Sequence, residues 1–232
     1  MNPVLLLPGT LCTGAIFEHQ IEALEAVGLS VDVVEFHHER SIGEMAATVA
    51  QRIPDNASVA IAGFSMGGMV ALELARQAPE RIAQLALINS NHHGDHPERR
   101  ARRLTQLART TDDELPGLIE REYLPRYLHR QEPAHRALIL HMARELGIDC
   151  FRSQTMALAS RPDASQTLRS IDCPLLIIGS TEDPLCPPAV QVEMHRLAAH
   201  SELLLLSGCG HFSTLECPEA VSQTLCNWYS EQ

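Results

Sequence analysis

The sequence predicts an α/β fold, in which a mostly parallel sheet is flanked by helices and interrupted by a helical insertion. Three observations predict it. Short apolar runs alternate with stretches of helical spacing. The connections between runs are long enough to hold a helix, as parallel strands require. From about 91 to 161 the helical patterns continue with no strand among them.

Val4 to Leu7 is apolar and closed by Pro8-Gly9, so it reads as a buried strand ending in a tight loop. Ile21, Leu24 and Val27 recur at helical spacing within Phe17 to Val27, and Gly28 ends that helix. Val31 to Phe36 is β-branched and reads as a strand. Ser41 caps a helix running to Ile53, with Glu44 placed to complete a capping box. After the turn Pro54-Asp55-Asn56 comes the strand Ser58 to Ala62. Met66 to Gln77 is helical, stopped near Pro79, and Ile82 to Ile88 is the next strand. Within the insertion, Glu98 to Arg109, Asp113 to Leu128, Ala134 to Leu146 and Cys150 to Ser160 carry helical patterns. Then follow the strand Cys173 to Ile178, the helix Pro188 to Ala199, the strand Glu202 to Leu206 and a closing helix Thr214 to Tyr229.

A chain of 232 residues, 45% hydrophobic, is enough for one soluble domain with a sizeable core. The net charge of -11 argues against a nucleic-acid partner. The local basic run Arg99, Arg100, Arg102 and Arg103 is flanked by Asp95, Glu98, Asp112, Asp113 and Glu114, and reads as a solvated helix face. Seven cysteines without a Cys-x-x-Cys pair suggest reduced, buried thiols in a cytosolic protein. Met1-Asn2-Pro3 has no basic n-region, and the apolar run after it is too short for a signal peptide or a membrane span. A cytoplasmic protein without membrane association is therefore expected.

Gly63-Phe64-Ser65-Met66-Gly67 is a Gly-x-Ser-x-Gly pattern between a buried strand and a helix. A sharp turn there lifts the Ser65 hydroxyl above the sheet edge. It also aims the first amides of the helix at the place where negative charge develops on a reacting carbonyl. Two glycines at this spacing leave the backbone room to reverse. Ser65 is thus the candidate nucleophile. The turn is too short for a phosphate loop, and no Gly-Lys-Ser or Gly-Lys-Thr follows.

Two later strand exits supply partners in the order acid, then histidine. Ser207-Gly208-Cys209-Gly210-His211 follows the last strand directly, so His211 is the candidate base. Gly179-Ser180-Thr181-Glu182-Asp183 follows the strand before it. Asp183 is the preferred acid, to hold the imidazole tautomer, with Glu182 the alternative. Two backbone amides should form the oxyanion hole. One is Met66, immediately after the nucleophile; the other is Thr10 in the loop after the first strand, with Leu11 the alternative.

With these residues placed, the chain resembles the α/β-hydrolase superfamily over essentially its whole length. The motifs that carry the resemblance are Leu5-Leu6-Leu7-Pro8-Gly9, Gly63-Phe64-Ser65-Met66-Gly67-Gly68, Gly179-Ser180-Thr181-Glu182-Asp183 with Pro187-Pro188, and Gly208-Cys209-Gly210-His211. It is most similar to small bacterial carboxylesterases, pimeloyl-carrier-protein methyl esterases and carbon–carbon bond hydrolases. Two departures stand out: Pro8-Gly9 replaces the usual His-Gly, and the first two strands of the usual sheet are missing. The resemblance implies a sheet of about six strands and a core of residues 1–90 and 162–232. Residues 91–161 would form a helical cap over the nucleophile.

It also implies two-step acyl transfer on a small carboxylic ester by a Ser-His-Asp triad, with no cofactor and no metal. A thioester, or carbon–carbon cleavage with the same triad, is the alternative chemistry. A non-catalytic binding protein of the same fold is the rival. Candidate pocket residues in the cap are Leu104, Leu107, Leu118, Tyr123, Tyr127, Leu138 and Met142. Leu185, Cys186 and Phe212 should border the site. Arg121, Arg126, Arg144 or Arg152 could recognise a substrate carboxylate. Asn91-His92-His93-Gly94-Asp95-His96 offers metal-ligand types, but no further ligand falls at helical spacing with them, and it reads as a polar hinge of the cap. The expected partner is a small-molecule ester or thioester, bound by a monomer or homodimer.

Overall fold

Six parallel strands form one sheet in the order β2-β1-β3-β4-β5-β6. They are β1 (Val4–Leu7), β2 (Val31–Val33), β3 (Val59–Phe64), β4 (Ile82–Ile88), β5 (Leu175–Ser180) and β6 (Ser201–Leu206). The computed structural model describes residues 3–230; Met1 and Asn2, the head of the segment read above as lacking a leader, lie outside them. The chain steps from β1 out to the edge at β2, returns past β1 to β3, and then proceeds in one direction. The order therefore reverses between β1 and β3. At such a switch point the loops leaving the carboxyl ends diverge and open a crevice.

Both faces of the sheet are covered, which is why its strands read as unbroken apolar runs. Leu6, Ala62, Phe64, Ala86 and Ile88 pack on one face with Leu24, Val221 and Leu225 of helices α1 (Glu18–Ala26) and α11 (Pro218–Ser230). Leu5, Leu7, Ile61, Leu85 and Leu87 pack on the other. There they meet α2 (Ile42–Arg52) and α3 (Met66–Gln77). Each fully buried leucine or isoleucine in these layers contributes about 1.5–3 kcal/mol.

Between β4 and β5 lie α4 (Pro97–Arg109), α5 (Leu115–Leu118), α6 (Leu124–Tyr127), α7 (Pro133–Ser160) and α8 (Ser165–Ser170). Leu115, Leu118, Leu124, Tyr127, Met142 and Phe151 join the core on the α1 side. The chain then continues through α9 (Pro188–Leu197), α10 (Ser213–Glu216) and α11.

Four elements differ from the sequence reading. β2 ends at Val33 rather than Phe36, because the Phe36 carbonyl leaves the ladder to accept from Gln154 Nε2 at 2.7 Å. Ser41 does cap α2, but the Glu44 carboxylate takes the Arg40 amide, at 2.7 Å. Helices expected at 134–146 and 150–160 run on as α7 through a kink at Gly147, whose φ of 70° suits a residue without Cβ. The closing helix breaks at Cys217, because Pro218 has no N–H to continue it.

Candidate active site

β3 ends at Phe64 and α3 begins at Met66, so Ser65 alone makes the turn. Its φ of 52° and ψ of −111° are strained for a residue with a side chain. Hydrogen bonds on both sides hold it there. The Ser65 amide donates to Ile88 O at 2.9 Å, and Ser90 Oγ donates to Ser65 O at 2.8 Å. The flanking glycines are required by space. A Cβ on Gly63 would stand 2.5 Å from the carbonyl of Gly67 and the amide of Gly68, and one on Gly67 would strike Leu7 O.

His211 reaches this turn from the loop after β6. Its Nε2 lies 2.9 Å from Ser65 Oγ, and its Nδ1 lies 2.8 Å from Asp183 Oδ2. A carboxylate can only accept, so Nδ1 carries the proton and Nε2 is left to accept from the serine hydroxyl. Asp183 is 2% exposed. Its Oδ1 accepts the Leu185 and Cys186 amides at 2.8 and 3.0 Å, and its Oδ2 also accepts Asn89 Nδ2 at 3.0 Å. Burial pushes this carboxyl upward, but the His211 ring and these donors outweigh it and hold it below the ordinary aspartate range. Glu182 is engaged elsewhere, by Thr181 Oγ1 and the Gly208 amide at 2.6 and 2.9 Å.

Two positioning residues around Asp183 and His211 escaped the sequence reading, as did Gln154 beside the loop after β1. Asn89, with φ of 45°, follows β4 directly and bridges the site. It donates to Ser180 Oγ and Asp183 Oδ2 and accepts from Ser213 Oγ at 2.6 Å. The abrupt end of an apolar strand in Asn89-Ser90 was the signal available for it. The other is Glu216, whose carboxylate gathers the amides of Gly210, His129 and Arg130 at 2.8, 3.2 and 2.7 Å. It joins the histidine loop to the insertion. Tyr127 strengthens that joint: its carbonyl accepts the His211 amide at 2.8 Å, and its ring stacks on the imidazole at a centroid distance of 5.8 Å.

The loop after β1 brings Thr10 and Leu11 against the elbow, where Thr10 Oγ1 is 3.7 Å from Met66 Sδ. The Leu11 amide is occupied, donating to the buried Gln154 Oε1 at 2.7 Å. The amides of Thr10 and Met66 meet no acceptor among the described residues. Gln154 thus pins the loop, using its other end on Phe36 O. Gln154→Leu would strand the buried Leu11 amide, costing about 1–3 kcal/mol, and leave Phe36 O only the weak Cys150 Sγ donor at 3.4 Å. Urea unfolding of that variant is expected to show a loss of about 1–4 kcal/mol.

A cavity of about 420 Å³ opens above Ser65 and His211. Tyr123, Tyr127, Phe151, Leu185 and Phe212 give it apolar walls. Leu104, Leu107, Leu118, Leu138 and Met142 are not among its lining residues, and neither are Arg121, Arg144 and Arg152. Arg126 and Cys186 are. The basic run of α4 is solvated, as read, with Arg99, Arg100 and Arg102 exposed, and it also borders the cavity. Arg99, Arg102 and Arg103 line the cavity with Gln106, because positions i, i+3, i+4 and i+7 share one side of a helix. Arg103 and the buried Arg161 are both paired with Asp95, at 3.2 and 3.0 Å. Arg99, Arg102 and Arg126 have no ion-pair partner among the described residues. The cavity is therefore cationic in a chain of net charge -11.

Comparison with known proteins identifies the family and the fold. A family model described as the Alpha/beta hydrolase family matches residues 4–224. A pimeloyl-[acyl-carrier protein] methyl ester esterase of Nitrosomonas europaea is 28% identical over 200 residues, covering 77% of this chain and 73% of that one. The enzyme of the same description from Sodalis glossinidius is 27% identical over 213 residues, 85% of this chain and 81% of that one. Among solved structures, a thermophilic esterase from Thermogutta terrifontis, with malate bound, superposes with a TM-score of 0.90 at 25% identity. That match covers 100% of this chain and 90% of the esterase. An enol-lactonase from Burkholderia xenovorans shares the fold, with a TM-score of 0.84 at 20% identity over 99% of this chain and 92% of its own.

Proposed function

The chain belongs to the α/β-hydrolase family, and from that premise we propose that it is a serine esterase acting on small carboxylic esters through an acyl-enzyme. The observation that carries the proposal is the single imidazole of His211, bonded at 2.9 Å to Ser65 Oγ and at 2.8 Å to Asp183. Ser65 Oγ attacks the ester carbonyl and His211 Nε2 takes its proton. The oxygen gains negative charge and is held by the free amides of Met66 and Thr10. Collapse of this intermediate expels the alkoxide, which takes the proton back from His211. Water, deprotonated by the same nitrogen, then attacks the acyl-enzyme and frees the acid. Asp183 stays ionised throughout and stabilises the imidazolium.

Residues 91–161 act as a cap in this reading. Tyr123, Tyr127 and Phe151 shelter the acyl-enzyme from bulk water, and the Tyr127 carbonyl keeps the histidine loop in register. Seven unpaired thiols favour a reducing compartment such as the cytoplasm. Among the described residues no helix is long and apolar enough to cross a membrane.

The test is covalent. A phosphonylating probe with an alkyl chain is expected to add one phosphonyl group per chain, on the peptide holding Ser65, together with loss of p-nitrophenyl ester hydrolysis. Label elsewhere, or none with hydrolysis intact, would sink the proposal.

The unpaired arginines narrow the substrate to esters whose far end is anionic. A charge-assisted hydrogen bond contributes about 1.5–3 kcal/mol before solvent screening. The half-ester of a dicarboxylic acid is expected to have kcat/KM roughly tenfold above that of a neutral ester of equal length. The preference should shrink as salt rises. It should disappear, chiefly through KM, in the triple variant Arg99→Gln, Arg102→Gln, Arg126→Gln. Equal kcat/KM for the two esters would remove this part of the reading.

A further inference from the structure

The two ends of the helical insertion meet beside α9. His92 and His93 precede α4, Asp163 follows α7, and Glu193 stands on α9. Candidate ligand atoms of His92, His93 and Glu193 all lie within 4.8 Å of one another. His92 Nε2 is 3.6 Å from Glu193 Oε1, and His93 Nε2 is 3.1 Å from Glu193 Oε2. On the other side of the second ring, His93 Nδ1 faces Asp163 Oδ2 at 3.6 Å. The two imidazoles pack with centroids 3.9 Å apart.

His92 is the anomaly. Its side chain is 0% exposed, yet neither ring nitrogen has a hydrogen-bond partner. The 3.6 Å to Glu193 is too long for a hydrogen bond. Buried polar groups without a partner call for an explanation, and an ion is one of the few available.

We propose that His92, His93 and Glu193 form a binding site for a divalent transition-metal ion of the zinc class, with Asp163 orienting His93. Two imidazole nitrogens and a carboxylate oxygen suit zinc, leaving a fourth position for water. Tetrahedral bonds of about 2.0–2.1 Å set ligand atoms about 3.4 Å apart. His92 Nε2 is 3.6 Å from one Glu193 oxygen and His93 Nε2 is 3.1 Å from the other, and the ligand atoms all lie within 4.8 Å, so a small side-chain movement reaches that spacing. A carboxylate on the non-ligating nitrogen is the usual support for a metal-bound histidine, and Asp163, 3.6 Å from Nδ1, is near enough to close onto it once the ion fixes the ring. The two carboxylates balance a dication. The neighbouring Arg161 guanidinium, whose Nε donates to His93 O, turns its Nη1 away to Asp95, which it shares with Arg103.

The ion would tie both ends of the insertion to a helix of the core. Asn91 and Arg161 lie at this joint and also line the cavity over Ser65. The site is a clamp on the base of the insertion, and no catalytic step passes through it.

The experiment uses the full chain, freed of metal with a chelator and dialysed under reducing conditions. Zinc is titrated by calorimetry, with elemental analysis of the saturated protein. One ion per chain is expected, with a dissociation constant in the micromolar range or tighter. The Tm should rise by roughly 5–10 °C at free zinc a hundredfold above that constant. Glu193→Gln and His93→Asn should lose both the saturable binding and the Tm rise. Asp163→Asn should weaken binding roughly tenfold to hundredfold. The side chains of Glu193 and His93 are 48% and 42% exposed, so both variants retain their packing and the comparison is clean. Two results would overturn the site: wild type that takes up no zinc, or Glu193→Gln that takes up as much as wild type, which would assign the metal to thiols. Neither depends on whether the chain hydrolyses esters.

Discussion

Ser65→Ala is expected to lower kcat on p-nitrophenyl esters by about 10⁴–10⁶-fold, with the fold intact. The size follows from what the hydroxyl does. Without Oγ there is no acyl-enzyme, and only the oxyanion amides and the binding cavity remain to favour direct attack by water. The fold should survive because the elbow is held by backbone. The Ser65 amide still meets Ile88 O, and Ser90 Oγ still meets the carbonyl of residue 65. Alanine at φ of 52° is no less strained than serine, so Tm should change little. Stopped-flow or plate kinetics on a graded ester series, with a thioester and a methyl ester included, supplies the measurement. Wild-type turnover with a chain-length optimum would size the cavity. Turnover retained in Ser65→Ala would remove serine from the mechanism.

Asp183→Asn should cost about 10⁴-fold in kcat with a far smaller change in KM. The carboxylate now accepts from four donors, the amides of Leu185 and Cys186, Asn89 Nδ2 and His211 Nδ1. An asparagine can accept on one side only, so its NH₂ must face a donor. The imidazole answers by moving its proton to Nε2, the tautomer that cannot take one from Ser65. The same substitution tests a pH effect. The folded Asp183 carboxyl is held below its unfolded value of about 3.9. Its contribution to stability is therefore complete above that value and is lost as pH falls through the folded pKa. Urea unfolding between pH 7 and pH 3 should show wild type losing stability below about pH 4. Asp183→Asn, with no proton to bind at this position, should fall less steeply. Parallel curves would refute the assignment.

Much of the architecture was legible along the chain. The apolar runs that became β1, β3, β4 and β5 could be read because both sheet faces are buried there, so no alternation obscures them; the edge strand β6, half-buried, was legible from its run of four leucines. Ends were less legible. β2 stops at Val33 because Gln154, more than a hundred residues away, takes the Phe36 carbonyl. The candidate site shows the same division. Ser65, Asp183 and His211 each stand where a strand meets a loop, a local feature that needs no partner to be seen.

The sequence by itself determined the alternation of strands and helices, the glycine-flanked turn at Ser65 and the strand-end positions of Asp183 and His211, since these rest on contacts within a few residues. Only the tertiary structure decided which residues support them. Gln154 pins Leu11, Asn89 steadies Asp183, and Glu216 draws the histidine loop to the insertion. Arg99 and Arg102, though exposed, border the cavity because the packing of α4 chooses which helix face meets it. Glu193 reaches His92 and His93 because α9 and the ends of the insertion converge. The physical reason is common to all of them. A hydrogen bond or ion pair is specified by distance in space, and folding joins residues whose separation along the chain carries no trace of it.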